Sequence, residues 1–157
     1  MKILITGIYG QDGRILDKKL LQNKYKKFGL VRKKKNFLLN KNTNIIEDDL
    51  SNIFKIVKNI REIKPDIIIH LASNNTGATL IDNFYNYYLS NVLSYLILFF
   101  SYLFFSKNSK FIFAGSSMMF DNLNKKKVDE DTNFSSNSYY GLYKIHCHKI
   151  SILLKKL

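Results

Sequence analysis

Short apolar runs alternate along this chain with stretches in which apolar residues recur every three or four positions. Runs such as residues 3–5 and 67–69 predict buried strands, and the longer periodic stretches predict amphipathic helices. Strands separated by helices predict an α/β fold with a parallel, doubly wound sheet. The predicted strands are 2–6, 27–31, 44–47, 66–70 and 110–114, and the predicted helices are 14–23, 50–63, 83–106 and 138–156.

The apolar spacing also predicts which side of each of the first two helices faces the sheet. The inward residues are Leu16, Leu20 and Leu21 in the first helix, and Ile53, Phe54, Val57, Ile60 and Ile63 in the second. Pro65 ends the second helix and starts a strand whose three consecutive isoleucines suit burial on both faces. Residues 32–43 and 121–137 are polar and are predicted to be loops.

Three glycines follow the first predicted strand at three-residue spacing. Gly7, Gly10 and Gly13 lie between that strand and the first helix. Glycines in this context let the backbone turn tightly and approach a pyrophosphate, which the free N–H groups of the helix N-terminus then bind. The sequence therefore predicts a Rossmann-type dinucleotide site at this turn.

A second chemical pattern lies on the last predicted helix, in the sequence Ser138-Tyr-Tyr-Gly-Leu-Tyr-Lys144. Tyr140 and Lys144 are four residues apart and share one helix face. A nearby ammonium favours the phenolate, so this pair can exchange a proton with a hydroxyl or a carbonyl. Spacing alone is weak support, because Tyr139 and Tyr143 form similar pairs with their neighbours.

The segment 83–106 carries no formal charge and is long enough to cross a bilayer. The alternative is a helix buried between a sheet and a partner subunit. We favour the buried helix, because an α/β alternation requires a helix at this place and polar residues interrupt the run. These polar residues are Asn83, Asn86, Ser90, Asn91, Ser94 and Ser101.

Composition narrows the class of protein. The 157 residues predict one domain, and the net charge of +13 comes from lysines that are mostly scattered, without a nucleic-acid-reading motif. We therefore expect no nucleic-acid partner. The single Cys147 excludes an internal disulfide and suits the cytoplasm, and no secretory signal is visible at the N-terminus. His146 and His148 would point about 200° apart on a helix, so we expect no metal site there.

Five segments together resemble the extended short-chain dehydrogenase/reductases that act as NAD(P)-dependent nucleotide-sugar epimerases and dehydratases. The turn at 6–13, with its Gly-Gln-Asp-Gly ending, is most similar to the GDP-mannose 4,6-dehydratase branch. The other segments resemble, in family order, an adenine-contacting element, a strand end beside the cofactor, a strand carrying the catalytic Ser or Thr, and the YxxxK helix. They are Asp48-Asp-Leu50, His70-Leu-Ala-Ser73, Phe113-Ala-Gly-Ser-Ser-Met-Met-Phe120 and Tyr140-Gly-Leu-Tyr-Lys144.

The resemblance implies a role for each matching residue. Tyr140 would exchange a proton with a sugar C4 hydroxyl, Lys144 would hold the nicotinamide ribose, and Ser116 would hydrogen-bond the same sugar oxygen. The implied cofactor-binding residues are Gly7, Gly10, Gln11, Asp12, Gly13, Arg32, Asp49, Leu50, Leu71, Ala72, Ser73, Tyr140 and Lys144.

Arg32 bears on the choice of cofactor. It ends the second predicted strand, where NAD-specific folds usually carry Asp or Glu, and an arginine there can pair with a 2′-phosphate. NADP is therefore expected, with NAD as the alternative. A second interpretation is that Arg32 belongs to a solvated basic loop with Lys33–Lys35.

Two departures from the family qualify the expected reaction. Met118 stands where the dehydratases carry a glutamate, and a thioether does no acid–base work. The chemistry is then dehydration through another carboxylate, or oxidation, reduction or epimerisation at C4. Family members are also about twice this length. We expect a Rossmann domain over 1–157 that stops after the YxxxK helix, lacks the C-terminal sugar-nucleotide-binding domain and turns over little alone.

The resemblance also implies partners. The substrate would be a nucleotide sugar similar to GDP-mannose, and the 83–106 and 138–156 helices would form a homodimer interface. The apolar face expected there consists of Leu93, Leu96, Ile97, Phe100 and Phe104. The alternative function is a catalytically inactive remnant or dimerising module that keeps only the cofactor-binding fold. A small membrane or nucleic-acid-binding protein is a third, less favoured hypothesis.

Overall fold

The computed structural model describes residues 1–21, 24–73, 84–120 and 127–155. They form a five-stranded parallel sheet in the order β3-β2-β1-β4-β5, which confirms the doubly wound α/β fold. The strands are β1 (Lys2–Thr6), β2 (Lys26–Val31), β3 (Thr43–Glu47), β4 (Ile67–His70) and β5 (Lys110–Phe113). The helices are α1 (Gln11–Lys19), α2 (Ile53–Ile63), α3 (Phe84–Phe105) and α4 (Tyr139–Lys155), with a short 3₁₀ helix at Ser117–Phe120.

The chain divides into two compact units. The first, which we call the sheet unit, consists of Met1–Ser73 and Leu93–Ala114 and contains all five strands. The second, the helical unit, consists of Asn74–Val92 and Gly115–Leu157 and contains the 3₁₀ helix and α4.

The sheet unit has a hydrophobic cluster on each face of its sheet. Leu4 belongs to one cluster, while its neighbours Ile3 and Ile5 belong to the other, because successive residues of a strand point to opposite faces. The isoleucines of β4 divide in the same way. Ile68 is fully buried in the first cluster, and Ile67 and Ile69 pack against the second, so β4 is covered on both faces as predicted.

Buried polar side chains tie α1 to β2 and β3. Asp17 and Lys27 are both inaccessible to solvent, and the Lys27 Nζ lies 2.7 Å from Asp17 Oδ1. Thr43 Oγ1 and the Asn40 backbone N–H also donate to this carboxylate, at 2.6 and 2.8 Å. Burial alone would raise the pKa of Asp17, but these hydrogen bonds and the Lys27 ammonium hold the pKa below its usual value.

The first predicted helix is shifted in the structure. α1 begins at Gln11, three residues before the predicted start, and ends at Lys19; Asn23 lies outside the described residues. The prediction that Leu21 faces inward is wrong, because the residue lies beyond the helix end and is exposed. Leu16 and Leu20 do pack against the core, as predicted.

The second predicted helix begins later than expected. Asn52 caps α2 by accepting a hydrogen bond from the Lys55 N–H at 3.2 Å, so Ile53 is the first helical residue. The predictions for Ile53 and Phe54 are wrong: both are exposed, Phe54 at 85%. The inward stripe starts at Ile56, and Phe54 is about 200° away from it around the helix.

The uncharged helix α3 is a core helix over its second half. In the sheet unit its Tyr95, Leu98 and Phe99 are buried, and the Tyr95 ring lies 4.8 Å from that of Phe113 in β5. By length and composition, residues 88–105 are apolar enough to cross a membrane, with a mean hydropathy of 1.6. Ile97, predicted to face a partner, instead lies in the first cluster. Asn83, at the predicted start, lies outside the described residues.

Candidate functional site

The glycine-rich turn begins with a backbone contact between two strand ends. Gly7 follows β1 with a φ of +74°, a conformation that disfavours side chains. A Cβ atom at Gly7 would lie only 2.6 Å from the Ala72 backbone nitrogen, just beyond β4. Only glycine therefore allows these two strand ends to approach at the place where doubly wound sheets bind their ligands.

The other two glycines shape the start of α1. A Cβ at Gly13 would lie 2.5 Å from the Gly7 carbonyl oxygen, so the helix packs directly on the turn. Gly10 is the N-cap residue, and its N–H donates to the Gly7 carbonyl at 2.9 Å. Because glycine has no capping side chain, the N-terminus of α1 is open to an anion. Gln11 and Asp12 form the first turn of this helix.

A threonine and a histidine lock the two strand ends together. The Thr6 hydroxyl oxygen lies 2.6 Å from His70 Nδ1 and accepts a hydrogen bond from the Ala72 N–H at 3.2 Å. His70 is buried, and its ring stacks on Phe113. Leu71, Ala72 and Ser73, which follow β4, are half-buried at the edge where the parallel strands end.

The residues predicted to contact the adenine and the 2′-phosphate lie close together in the sheet unit. Arg32 Nε, which follows β2, lies 3.3 Å from Asp49 Oδ2, which follows β3. The Ser51 N–H and hydroxyl, both 2.9 Å from Asp49 Oδ1, and the Arg32 charge hold the pKa of Asp49 below its usual value. The Arg32 side chain is 74% exposed, so its guanidinium faces solvent and can meet a ligand. Leu50, beside Asp49, is half-buried.

In the helical unit, a glycine lets α4 pack closely on the segment before it. The Ser138 Oγ caps α4 by accepting from the Gly141 N–H at 3.0 Å. A Cβ at Gly141 would lie 2.2 Å from the Met118 carbonyl oxygen and 2.1 Å from Ser136 Oγ. Residues 116–119 are therefore held directly against the first turn of α4, where Tyr140 lies.

Tyr140 and Lys144 share one face of α4, as predicted. The Lys144 Nζ lies 5.7 Å from the centre of the Tyr140 ring and 5.2 Å from that of Tyr143, and Lys144 is buried. Burial lowers the pKa of Lys144 to about 8, partly offset by an interaction with Cys147. Tyr140 is half-buried, whereas Tyr143 is inaccessible, so of these two rings only that of Tyr140 can be reached from solvent.

Ser116 precedes the 3₁₀ helix in the same unit. Its Oγ accepts from the Met118 N–H at 3.2 Å, and its carbonyl accepts from the Met119 N–H at 3.1 Å. The hydroxyl proton is not used in these contacts, so the Ser116 hydroxyl can still act as a donor.

The two histidines of α4 have separate partners. His146 Nδ1 is hydrogen-bonded to the Tyr88 hydroxyl, and the His148 ring packs edge-on against Phe134 at 5.0 Å. Within the ranges that the structure describes, no three His, Cys, Asp or Glu side chains lie together as a metal ion would require.

Sequence reasoning missed two features of the site. The contact between Thr6 and His70 joins residues 64 positions apart, and only the pairing of β1 with β4 brings them together. The close contact at Gly141 was also missed. Its one sequence signal is a glycine in the first turn of a helix, where glycine is otherwise unfavourable.

Comparisons with known proteins agree with this geometry. A sequence profile of the family described as GDP-mannose 4,6 dehydratase matches residues 4–156. A GDP-mannose 4,6-dehydratase from Yersinia enterocolitica is 30% identical over 95 residues, which are 52% of this chain and 26% of that protein.

Solved structures show the same fold. UDP-glucose 4-epimerase from Bifidobacterium longum, in complex with NAD+ and UDP, has a TM-score of 0.86 at 19% identity, covering 98% of this chain and 49% of its own. UDP-glucose 4-epimerase from Thermotoga maritima, with UDP-glucose, has a TM-score of 0.84 at 21% identity, covering 99% and 52%. The chain thus spans about half the length of these structures.

We predict that Lys144→Met stabilises the folded chain at pH 7. Because burial lowers the pKa of Lys144 from its ordinary 10.5 to about 8, the folded state carries the ammonium at a cost on the order of 3 kcal/mol. The unfolded chain binds more protons between pH 8 and 10.5, so the wild-type stability rises across that window and the advantage of the variant shrinks.

Urea unfolding at pH 7 and at pH 10 measures this difference. Lys149→Met, an exposed lysine on the same helix, is the matched control and should change stability little at either pH. A Lys144→Met variant that is less stable than the wild type at pH 7 would show that the ammonium is a net stabilising group.

Proposed function

This chain belongs to the GDP-mannose 4,6-dehydratase family, and we propose that it binds a nicotinamide dinucleotide and supplies catalytic groups for nucleotide-sugar dehydration or epimerisation. The observation that carries the proposal is the contact of Gly7 with the Ala72 backbone, beside the open N-terminus of α1. This arrangement suits a pyrophosphate and needs the glycines that the chain has. Because the chain spans about half the length of the solved structures that it resembles, binding and association test the proposal more directly than turnover does.

The residues of the site fit a dinucleotide in three places. The N–H groups that open α1 would bind the pyrophosphate, and Asp49, Leu50 and the segment after β4 would hold the adenine. Arg32 would pair with a 2′-phosphate, so NADP is the proposed cofactor and NAD the alternative. Bound there, the nicotinamide would supply the acceptor for a hydride from the sugar C4.

The helical unit supplies the proton chemistry. Tyr140 takes the proton of the C4 hydroxyl as phenolate and returns it as phenol when the carbonyl is reduced. The Lys144 ammonium would favour the phenolate and hold the nicotinamide ribose, and Ser116 would donate a hydrogen bond to the same sugar oxygen. With a pKa of about 8, Lys144 is mostly protonated at neutral pH, as this role requires.

Met118 favours one reaction class over another. It is half-buried next to the catalytic serine and carries no ionisable group. Dehydration needs a base for the C5 proton, so oxidation, reduction or epimerisation at C4 fits the residues present better. We propose a GDP-mannose-like nucleotide sugar as the substrate, on the family's name, and a cytoplasmic location.

A dimer is the proposed state of the chain. Leu93, Phe100 and Phe104 are exposed and lie on one face of α3 at helical spacing, and Ile152 and Leu153 are exposed near the end of α4. Apolar side chains aligned in this way suit burial against a second copy.

We predict that Arg32→Ala lowers the affinity for NADPH about tenfold and leaves the affinity for NADH unchanged, since a charge-assisted hydrogen bond to the 2′-phosphate is lost. Titration calorimetry with both cofactors measures the change. Lys33→Ala is the matched control, because it removes a neighbouring exposed charge. Equal losses in the two variants would support the solvated basic loop, and no binding of either cofactor by the folded wild type would contradict the proposal.

We predict that Phe104→Lys converts a dimer into a monomer in light scattering at micromolar concentration, because a charge would replace an apolar contact. Phe104 is 75% exposed, so the fold itself should tolerate the change. Phe54→Lys on α2, an equally exposed phenylalanine outside the proposed interface, should leave the dimer intact. A monomeric wild type would refute the dimer.

A further inference from the structure

The segment that follows β2 is fastened to the sheet unit at several points, although it forms no helix or strand. The Lys34 N–H donates to Glu47 Oε2 at 3.1 Å, and the Lys35 N–H donates to the Tyr9 hydroxyl at 3.4 Å. Farther along, the Asn40 N–H donates to the buried Asp17 carboxylate at 2.8 Å. A segment that looks like a solvated basic loop in the sequence is thus held in one place.

Phe37 adds two ring contacts to these hydrogen bonds. Its ring centre lies 5.1 Å from that of Tyr9, which is part of the glycine-rich turn. The guanidinium of Arg14, in α1, lies over the same ring, at 5.1 Å from its centre. One side chain therefore joins the basic segment both to the dinucleotide-binding turn and to the helix that follows it.

This attachment bears on the cations that precede Phe37. Lys35 is two residues before Phe37, and Arg32 five residues before it, so fixing the ring limits how far these groups move. Exposed lysines and arginines lose side-chain and loop freedom when they bind a phosphate, and this loss weakens binding. A segment that is already ordered loses less.

We infer that Phe37 is a positioning residue for cofactor choice: clamped by Tyr9 and Arg14, it holds Arg32 ready for the 2′-phosphate of NADP. The inference rests on the proposed function, since it concerns the same dinucleotide site. A positioning role for Phe37 differs from a general structural role in one measurable effect. NADP and NAD differ only in the 2′-phosphate, so loosening this segment weakens NADP binding and leaves NAD binding unchanged.

The test compares two pairs of ligands, and the members of each pair differ only by that phosphate. Affinities for adenosine 2′,5′-bisphosphate and AMP, and for NADPH and NADH, are measured by calorimetry on the full chain. We expect Phe37→Ala to weaken both 2′-phosphorylated ligands about three- to tenfold and to leave AMP and NADH unchanged. Phe37→Tyr, which keeps the ring, should restore wild-type affinities.

Leu38→Ala is the matched control, because this neighbour is 96% exposed and its loss should change no affinity. Tyr9→Phe keeps the ring contact but removes the hydroxyl that accepts from Lys35, so it should give a smaller loss in the same direction. It also serves as the second variant if Phe37→Ala does not fold.

Three results would overturn the inference. An equal loss for phosphorylated and unphosphorylated ligands would show a merely structural role, and unchanged affinities in both Phe37→Ala and Tyr9→Phe would show that the clamp is irrelevant. If the folded wild type binds neither NADPH nor NADH, the proposed function fails and the inference fails with it. Wild-type binding with an unaltered preference in the variants overturns the inference alone.

Discussion

The sheet unit depends on how closely the ends of β1 and β4 approach each other. At Gly7 the backbone turns with a positive φ against the Ala72 nitrogen, and a single added carbon would lie 2.6 Å from that atom. The Thr6 hydroxyl, in contact with both His70 and Ala72, holds the two strand ends at this separation. The sheet reverses its winding direction between β1 and β4, so the same contact lies at the crevice where doubly wound sheets bind their ligands.

The helical unit also depends on a close backbone contact at a glycine, and it contains a buried charge that lowers its stability. Gly141 lets the Met118 carbonyl lie against the first turn of α4, which holds the Ser116 segment next to Tyr140. One turn later, Lys144 is buried, and the loss of solvent around its ammonium lowers its pKa. Stability given up at a buried charge is typical of a residue kept for chemistry rather than for packing.

Local sequence signals predicted the order of the elements, the parallel sheet and the motif residues. These signals are the periodicity of apolar residues, the glycine spacing and the single proline, and each depends only on neighbouring positions. They failed where distant residues decide. Leu21 is predicted to face inward because its spacing suits a longer helix, yet the buried positions of α1 are Gly13 and Asp17, and Asp17 pairs with Lys27 of β2. The predictions that Phe54 faces the core and that Ile97 faces a partner are wrong, because apolar character alone does not determine which surface a side chain packs against.

The central proposal is that the glycine-rich turn and the ends of β2 to β4 in the sheet unit bind a nicotinamide dinucleotide. Backbone amide chemical shifts of the ¹⁵N-labelled chain, recorded while NADPH is added, test it most directly. The account predicts that the largest changes fall on Gly7, Gly10, Gly13 and Ala72, with smaller changes around Asp49. No change in a folded chain, or changes confined to other surfaces, would contradict it.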